Sequence, residues 1–156
     1  MKWVLGNVAG AGGYLLGRRT YDSFAGHWPN ASDEEQFLAE PLNSRPKYVA
    51  STMLSEPLEW QHSTVLGDDI PGAVAELKQQ DGDHLLMIGS TTLVPTLMDH
   101  ELIDEFRVMI DPIVVGGGKR LFPDDGTLRP LKPVDSEVTT TGVILATYAP
   151  DGTNRQ

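Results

Sequence analysis

Apolar positions along this chain change their period several times, and each change predicts an element. Tyr14-Leu15-Leu16 is a short continuous apolar run closed by Gly17. After it comes Arg18-Arg19-Thr20-Tyr21-Asp22-Ser23-Phe24, where Tyr21 and Phe24 share one face at helical spacing. The reading is strand, turn and short helix, ended by Gly26 and Pro29. Ser32-Asp33-Glu34-Glu35 has the form of a capping box and predicts a second short helix toward Asn43, limited by Pro41. Lys47-Tyr48-Val49-Ala50-Ser51 and Ser63-Thr64-Val65-Leu66 are short and β-rich and predict strands. Between Asp69 and Gln80, Ile70, Val74 and Leu77 recur at helical spacing, with Asp69 as N-cap and Pro71 in the first turn. Leu85-Leu86-Met87-Ile88, closed by Gly89, suits a strand of a parallel sheet. Leu93, Leu97 and Met98 predict a helix that contains Pro95. Phe106 to Ile110, continuing through Pro112-Ile113-Val114-Val115, predicts one long strand or two joined ones. Val134 to Thr140 and Val143 to Tyr148, joined at Thr141-Gly142, predict an antiparallel hairpin. Strands alternating with helices, then strands alone, indicate an α/β sheet with an antiparallel edge.

Length and charge narrow the field. The 156 residues suit one domain over 1–156, without repeats or low-complexity tracts. Twelve Lys and Arg against 22 Asp and Glu give a net charge of −10, which repels nucleic-acid phosphates and anionic lipids. No apolar run approaches the ~20 residues of a membrane span and no secretion signal is evident, so the expected compartment is the cytoplasm. The absence of cysteine removes disulfides, thiolate metal sites and a cysteine nucleophile.

In so acidic a chain the clustered cations stand out: Arg18-Arg19 after Gly17, and Lys119-Arg120 after Gly116-Gly117-Gly118. Gly17-Arg18-Arg19-Thr20 lies where a strand turns into a helix. Unsatisfied backbone N–H groups and the positive helix end favour an anion there, and arginine grips phosphate with two parallel hydrogen bonds. The competing reading pairs both arginines with surface carboxylates. Gly89-Ser90-Thr91-Thr92 is a second such corner, or else an ordinary serine cap. Corners at the carboxyl ends of neighbouring strands lie side by side, so the two together suit one diphosphate. The glycines at 10, 12 and 13 do not match a dinucleotide fingerprint, and Gly118-Lys119 is no phosphate loop. His27, His62, His84 and His100 are too scattered for a helical metal motif, and no metal is expected. Asp68-Asp69 and Asp124-Asp125 read as solvated loop residues. Tyr21 and Trp28 are candidates to line a pocket for a planar ligand, with core packing as the alternative.

Leu15-Leu16-Gly17-Arg18-Arg19-Thr20-Tyr21 with Phe24 and Trp28-Pro29, Met87-Ile88-Gly89-Ser90, Leu102-Ile103-Asp104-Glu105-Phe106, Pro112 to Phe122, and Thr141-Gly142-Val143 to Tyr148 follow one another in a familiar order. Together they resemble the dihydrofolate-reductase-like family that includes the reductase domain of bacterial riboflavin biosynthesis. The resemblance implies a mixed, mostly parallel sheet flanked by helices with a C-terminal antiparallel hairpin, and NADPH laid across the strand ends. By position, Gly17, Arg18, Arg19 and Thr20 would meet the cofactor phosphates, Ser51 and Thr52 the adenosine phosphate, and Gly89, Ser90, Thr91 and Thr92 the diphosphate. It reduces Lys119-Arg120 to a loop element. The expected activity is hydride transfer from NADPH to a small C=N or C=O substrate of pterin-like or pyrimidine-like class, with Tyr21 and Trp28 toward the substrate. The family's opening strand, with its Ser-Leu-Asp-Gly-like stretch and covering loop, has no counterpart before Tyr14, so no catalytic acid is assigned. An edge left exposed by that strand would favour a homodimer, and a self-associating, non-catalytic member is the alternative.

Overall fold

A computed structural model of the chain describes residues 2–152; Met1 and residues 153–156, the two ends of the expected 1–156 domain, lie outside the described residues. The chain divides into two compact units, one ending at Leu93 and one beginning at Val94.

The first unit opens with helix α1 (Lys2–Gly10), strand β1 (Gly13–Gly17) and helix α2 (Arg18–His27). Two single 3₁₀ turns, Trp28–Asn30 and Asp33–Glu35, lead to α3 (Gln36–Ser44). Then come β2 (Lys47–Ala50), β3 (Ser63–Leu66), α4 (Ile70–Lys78) and β4 (Leu85–Met87). The capping box forms as expected, with the Ser32 and Glu35 side chains and backbones bonded reciprocally, although it opens a 3₁₀ turn ahead of the helix proper. Asp69 caps α4 by accepting the Gly72 N–H at 3.0 Å. Pro41 does not limit α3 but lies inside it, where burial of Ala39, Pro41 and Leu42 outweighs the missing N–H. The residues before β1, featureless in pattern, form α1, whose Val8 packs into the core.

The four strands pair in the order β3-β2-β1-β4, and every pairing is parallel. The chain leaves β1 on one side to build β2 and β3, then returns to add β4 on the other. β1 is therefore the point where strand order reverses, and in an open α/β sheet the crevice beyond the carboxyl ends there is the usual ligand position. All five residues of β1 are buried, and its Tyr14 and Leu16 join Val8, Tyr21, Leu42, Val49 and Trp60 in one core. Lys47 is buried in it as well. Its ammonium donates to the carbonyls of Leu42, Asn43 and Arg45 at 2.7, 3.3 and 2.9 Å and lies 4.4 Å from the centre of the Trp60 ring.

The second unit holds α5 (Val94–Asp99), with Pro95 within it, and a three-stranded antiparallel sheet in the order β5-β7-β6. Its strands are β5 (Phe106–Ile110), β6 (Leu131–Val138) and β7 (Ile144–Pro150). The hairpin expected around Thr141-Gly142 is present, with Gly142 at φ 85°. β5 stops at Ile110, so the expected continuation through Val115 is corrected. Pro112 has no N–H to give a ladder, Gly116 and Gly118 turn at φ 80° and 130°, and Val114 is 95% exposed. Among the described residues no helix is long and apolar enough to cross a membrane.

Candidate functional site

The two glycine-led corners meet. β1 and β4 are hydrogen-bonded neighbours running the same way, so the turns after Gly17 and after Met87 emerge side by side. The Gly17 N–H donates to the Ser90 hydroxyl at 2.7 Å, and that hydroxyl lies 3.2 Å from Thr20 Oγ1 and 3.2 Å from the Ile88 carbonyl oxygen. Each glycine is there for its own reason. A Cβ on Gly17 would come within 3.3 Å of Ser90 Oγ and press on that side chain, whereas Gly89 stands at φ 59°, which a side chain would oppose.

Gly17 is the N-cap of α2 and extended in backbone. The next three amides, those of Arg18, Arg19 and Thr20, form the first turn, whose N–H groups have no intrahelical acceptor. With the positive end of the helix dipole they make a small electropositive spot in a strongly acidic chain. The two arginines differ. Arg18 reaches Asp22 one turn on at 3.4 Å, whereas Arg19 is exposed and has no ion-pair partner among the described residues. The competing reading, in which both pair with surface carboxylates, therefore describes Arg18 only.

The remaining sequence candidates are more dispersed. Ser51 and Thr52 follow β2, the other neighbour of β1. The Ser51 hydroxyl accepts the N–H groups of Met53 and Leu54, both at 3.1 Å, and Thr52 is exposed. Thr91 is half-buried and Thr92 exposed, inside the turn that the Leu93 N–H closes by donating to the Ser90 carbonyl. Tyr21 is buried, and its hydroxyl accepts the Trp60 N–H at 3.3 Å. Trp28 packs edge-on against Phe24 and His27, and its carbonyl accepts the Asn43 amide at 2.9 Å. Lys119-Arg120 lies in an exposed loop, where Arg120 pairs with Asp124.

Beside α2 runs an open cleft of about 600 Å³, lined by Tyr21, Asp22, Ser55, Leu58, Glu59 and Trp60 among others. Tyr21 lines it and Trp28 does not. The loop that forms its far wall is only a gap between strands in the sequence reading. The signal it held was Trp60, whose ring is buried against Tyr21 at 6.2 Å while its indole N–H donates to Asn43 at 2.7 Å.

The model of the RibD C-terminal domain matches residues 2–145. The chain belongs to that family. It is a reductase-type family. The Bacillus subtilis (strain 168) protein YyaP is 32% identical over 136 residues, 86% of this chain and 71% of YyaP. YwjB of the same organism is 29% identical over 108 residues, 69% of this chain and 56% of YwjB.

Solved structures agree on the fold of this RibD C-terminal domain. A putative riboflavin biosynthesis protein from Shewanella sp. PV-4 superposes with TM-score 0.74 at 22% identity, covering 94% of this chain and 78% of that one. A pyrimidine reductase-like protein from Corynebacterium diphtheriae gives TM-score 0.69 at 10% identity, covering 97% and 81%. Acinetobacter baumannii RibD gives 0.57 at 16% identity, covering 94% of this chain and 49% of that one. The dihydrofolate-reductase-like resemblance read from the sequence is thereby established, as is the mixed α/β fold.

Proposed function

We propose that this RibD C-terminal domain is an NADPH-dependent reductase acting on a small C=N or C=O substrate of pterin-like or pyrimidine-like class. The observation that carries the proposal is the junction of the Gly17 and Gly89 corners through Ser90 at the strand-order reversal. NADPH, when bound, supplies the hydride; the chain supplies placement and field. The residues present fit such a cofactor. The first-turn amides of α2 and the Thr20 hydroxyl suit one phosphate, and the adjoining Gly89–Thr92 turn suits its neighbour in a diphosphate. Arg19, exposed and unneutralised, suits the 2′-phosphate that separates NADPH from NADH. Ser51 and Thr52, at the end of the next strand over, lie on the side where the adenosine phosphate would run. Tyr21, on the wall of the cleft, is proposed to face the substrate; Trp28, outside that wall, holds the end of α2 against Phe24.

The pyrimidine-like substrate class is suggested by the structural likeness to the pyrimidine reductase-like protein of Corynebacterium diphtheriae. Saturable quenching of tryptophan fluorescence by NADPH, followed by loss of reduced-nicotinamide absorbance with candidate pterins and pyrimidines, tests it. Absence of quenching removes the cofactor, and quenching without turnover on any of these substrates removes the substrate class.

A second reading, a self-associating and non-catalytic member, draws on one observation. β5 pairs with β7 on one side, and among the described residues its other edge has no strand partner, while its Met109 and Ile110, on opposite faces, are each 47% exposed. Open strand edges of this kind favour pairing with another chain. A stable dimer on a sizing column together with no NADPH quenching would select this reading, and a dimer that quenches supports a homodimeric reductase.

A further inference from the structure

Gly89 and Ser90 are consecutive residues in the left-handed region, at φ 59° and 57°. Glycine takes this conformation freely, whereas the Cβ of an L-residue crowds the following carbonyl. A serine persists there only where its surroundings over-determine it, and residues so held gather at functional sites. The over-determination is visible in three contacts. The Ser90 hydroxyl accepts the Gly17 N–H, and its own proton is within reach of Thr20 Oγ1 and the Ile88 carbonyl oxygen.

Gly17 has no side chain with which to organise the start of α2, and no side-chain cap is formed there. In a capping box the side chain three residues into the helix accepts the N-cap residue's own N–H. Here that acceptor arrives from a residue 73 positions away in sequence. The consequence is specific: one hydroxyl ties the β4 corner to the first turn of α2 while leaving the Arg18, Arg19 and Thr20 amides unspent. Serine is needed for the hydroxyl, and the hydroxyl is worth the backbone strain that glycine would avoid.

We propose that Ser90 is a positioning residue for the dinucleotide phosphates, held in a strained conformation so that its hydroxyl locks the two corners at the separation a diphosphate requires. This rests on the cofactor reading given above. The test compares the intact chain with Ser90→Ala, which keeps the strain and loses the hydroxyl, and Ser90→Gly, which loses both. NADPH affinity is read by tryptophan quenching, inorganic pyrophosphate serves as competitor, and melting temperature is followed in parallel. Both variants are expected to bind NADPH and pyrophosphate about tenfold more weakly, the equivalent of one net hydrogen bond. Ser90→Gly is expected to melt above Ser90→Ala without recovering affinity. A merely structural role predicts the reverse, with affinity returning as the strain is relieved. Wild-type affinity in either variant overturns the proposal. If the unmodified chain binds neither probe, the cofactor reading falls with it. The lock is then judged alone by hydrogen exchange: the Gly17 amide should exchange faster in both variants while those of Leu15 and Leu16 stay protected, and an unchanged Gly17 rate refutes it.

Discussion

The sharpest consequence of the corner geometry is an asymmetry between two adjacent arginines. Arg18 and Asp22 form an ion pair at 3.4 Å with side chains 41% and 47% exposed, and exposed pairs of this kind are worth roughly 0.2–1 kcal/mol. Part of the field of Arg18 is thus already spent on its neighbour. Arg19 has no such partner among the described residues. If it meets the 2′-phosphate, a charge-assisted hydrogen bond of about 1.5–3 kcal/mol is at stake, which corresponds to roughly 10- to 100-fold in affinity. Arg19→Ala should therefore weaken NADPH by that factor and leave NADH within about twofold. Arg18→Ala should cost less, and about equally for the two cofactors, since part of its charge is already balanced by Asp22. Asp22→Ala, by releasing Arg18, should tighten NADPH.

Fluorescence titration of each variant with each cofactor measures all of these. Repeating it at higher salt adds an internal check, because exposed charges are screened over about 8 Å at physiological ionic strength, so the Arg19 effect should shrink. Equal losses for NADPH and NADH in Arg19→Ala, or a larger selective loss in Arg18→Ala, would refute the assignment.

Further outcomes follow from the core around this site. Burial lowers the Lys47 ammonium to a pKa of about 8, so between there and its ordinary value near 10.5 the unfolded chain carries a proton that the folded chain has released. Stability should therefore rise with pH across that window, by something on the order of 2 kcal/mol in urea titrations, and Lys47→Met should abolish the rise. The Tyr14 hydroxyl, raised chiefly by burial, acts oppositely: its neutral form is favoured in the fold, and that contribution is lost as pH climbs past its ordinary value of 10.0. Gly17→Ala places a methyl against Ser90 and should lower NADPH affinity, whereas Gly89→Ala, with its nearest atom 3.6 Å away, should cost about 1 kcal/mol of stability through backbone strain alone. Tyr21→Phe leaves the buried Trp60 N–H without its acceptor and should destabilise by about 1–3 kcal/mol in thermal melts.

What the sequence discloses and what it withholds divide along sequence distance. Strands β1 to β4 are legible because each is a short apolar or β-rich run with a turn residue close by, and α4 because Asp69 and Pro71 mark its start locally. The apolar run Ile113-Val114-Val115 misleads, since apolarity alone does not make a strand where Pro112 ahead of it has no N–H and Gly116 and Gly118 after it turn at positive φ. α1 is invisible for a different reason. Its two glycines weaken any helical pattern, but its terminal carbonyls find partners far along the chain. Arg45 Nη1 donates to the carbonyls of Val8, Ala9 and Ala11, and the Tyr14 hydroxyl donates to Val8 as well. A helix end satisfied from 36 residues away leaves no mark on its own sequence. The site follows the same rule. Each corner is readable from its glycine, its hydroxyls and the basic pair, and the parallel order of strands makes their adjacency expected. That they are joined by one strained serine, and that only Arg18 of the two arginines finds an ion-pair partner among the described residues, depends on side chains meeting in the fold; local pattern has access to the parts of such a site but not to the bond that makes them one.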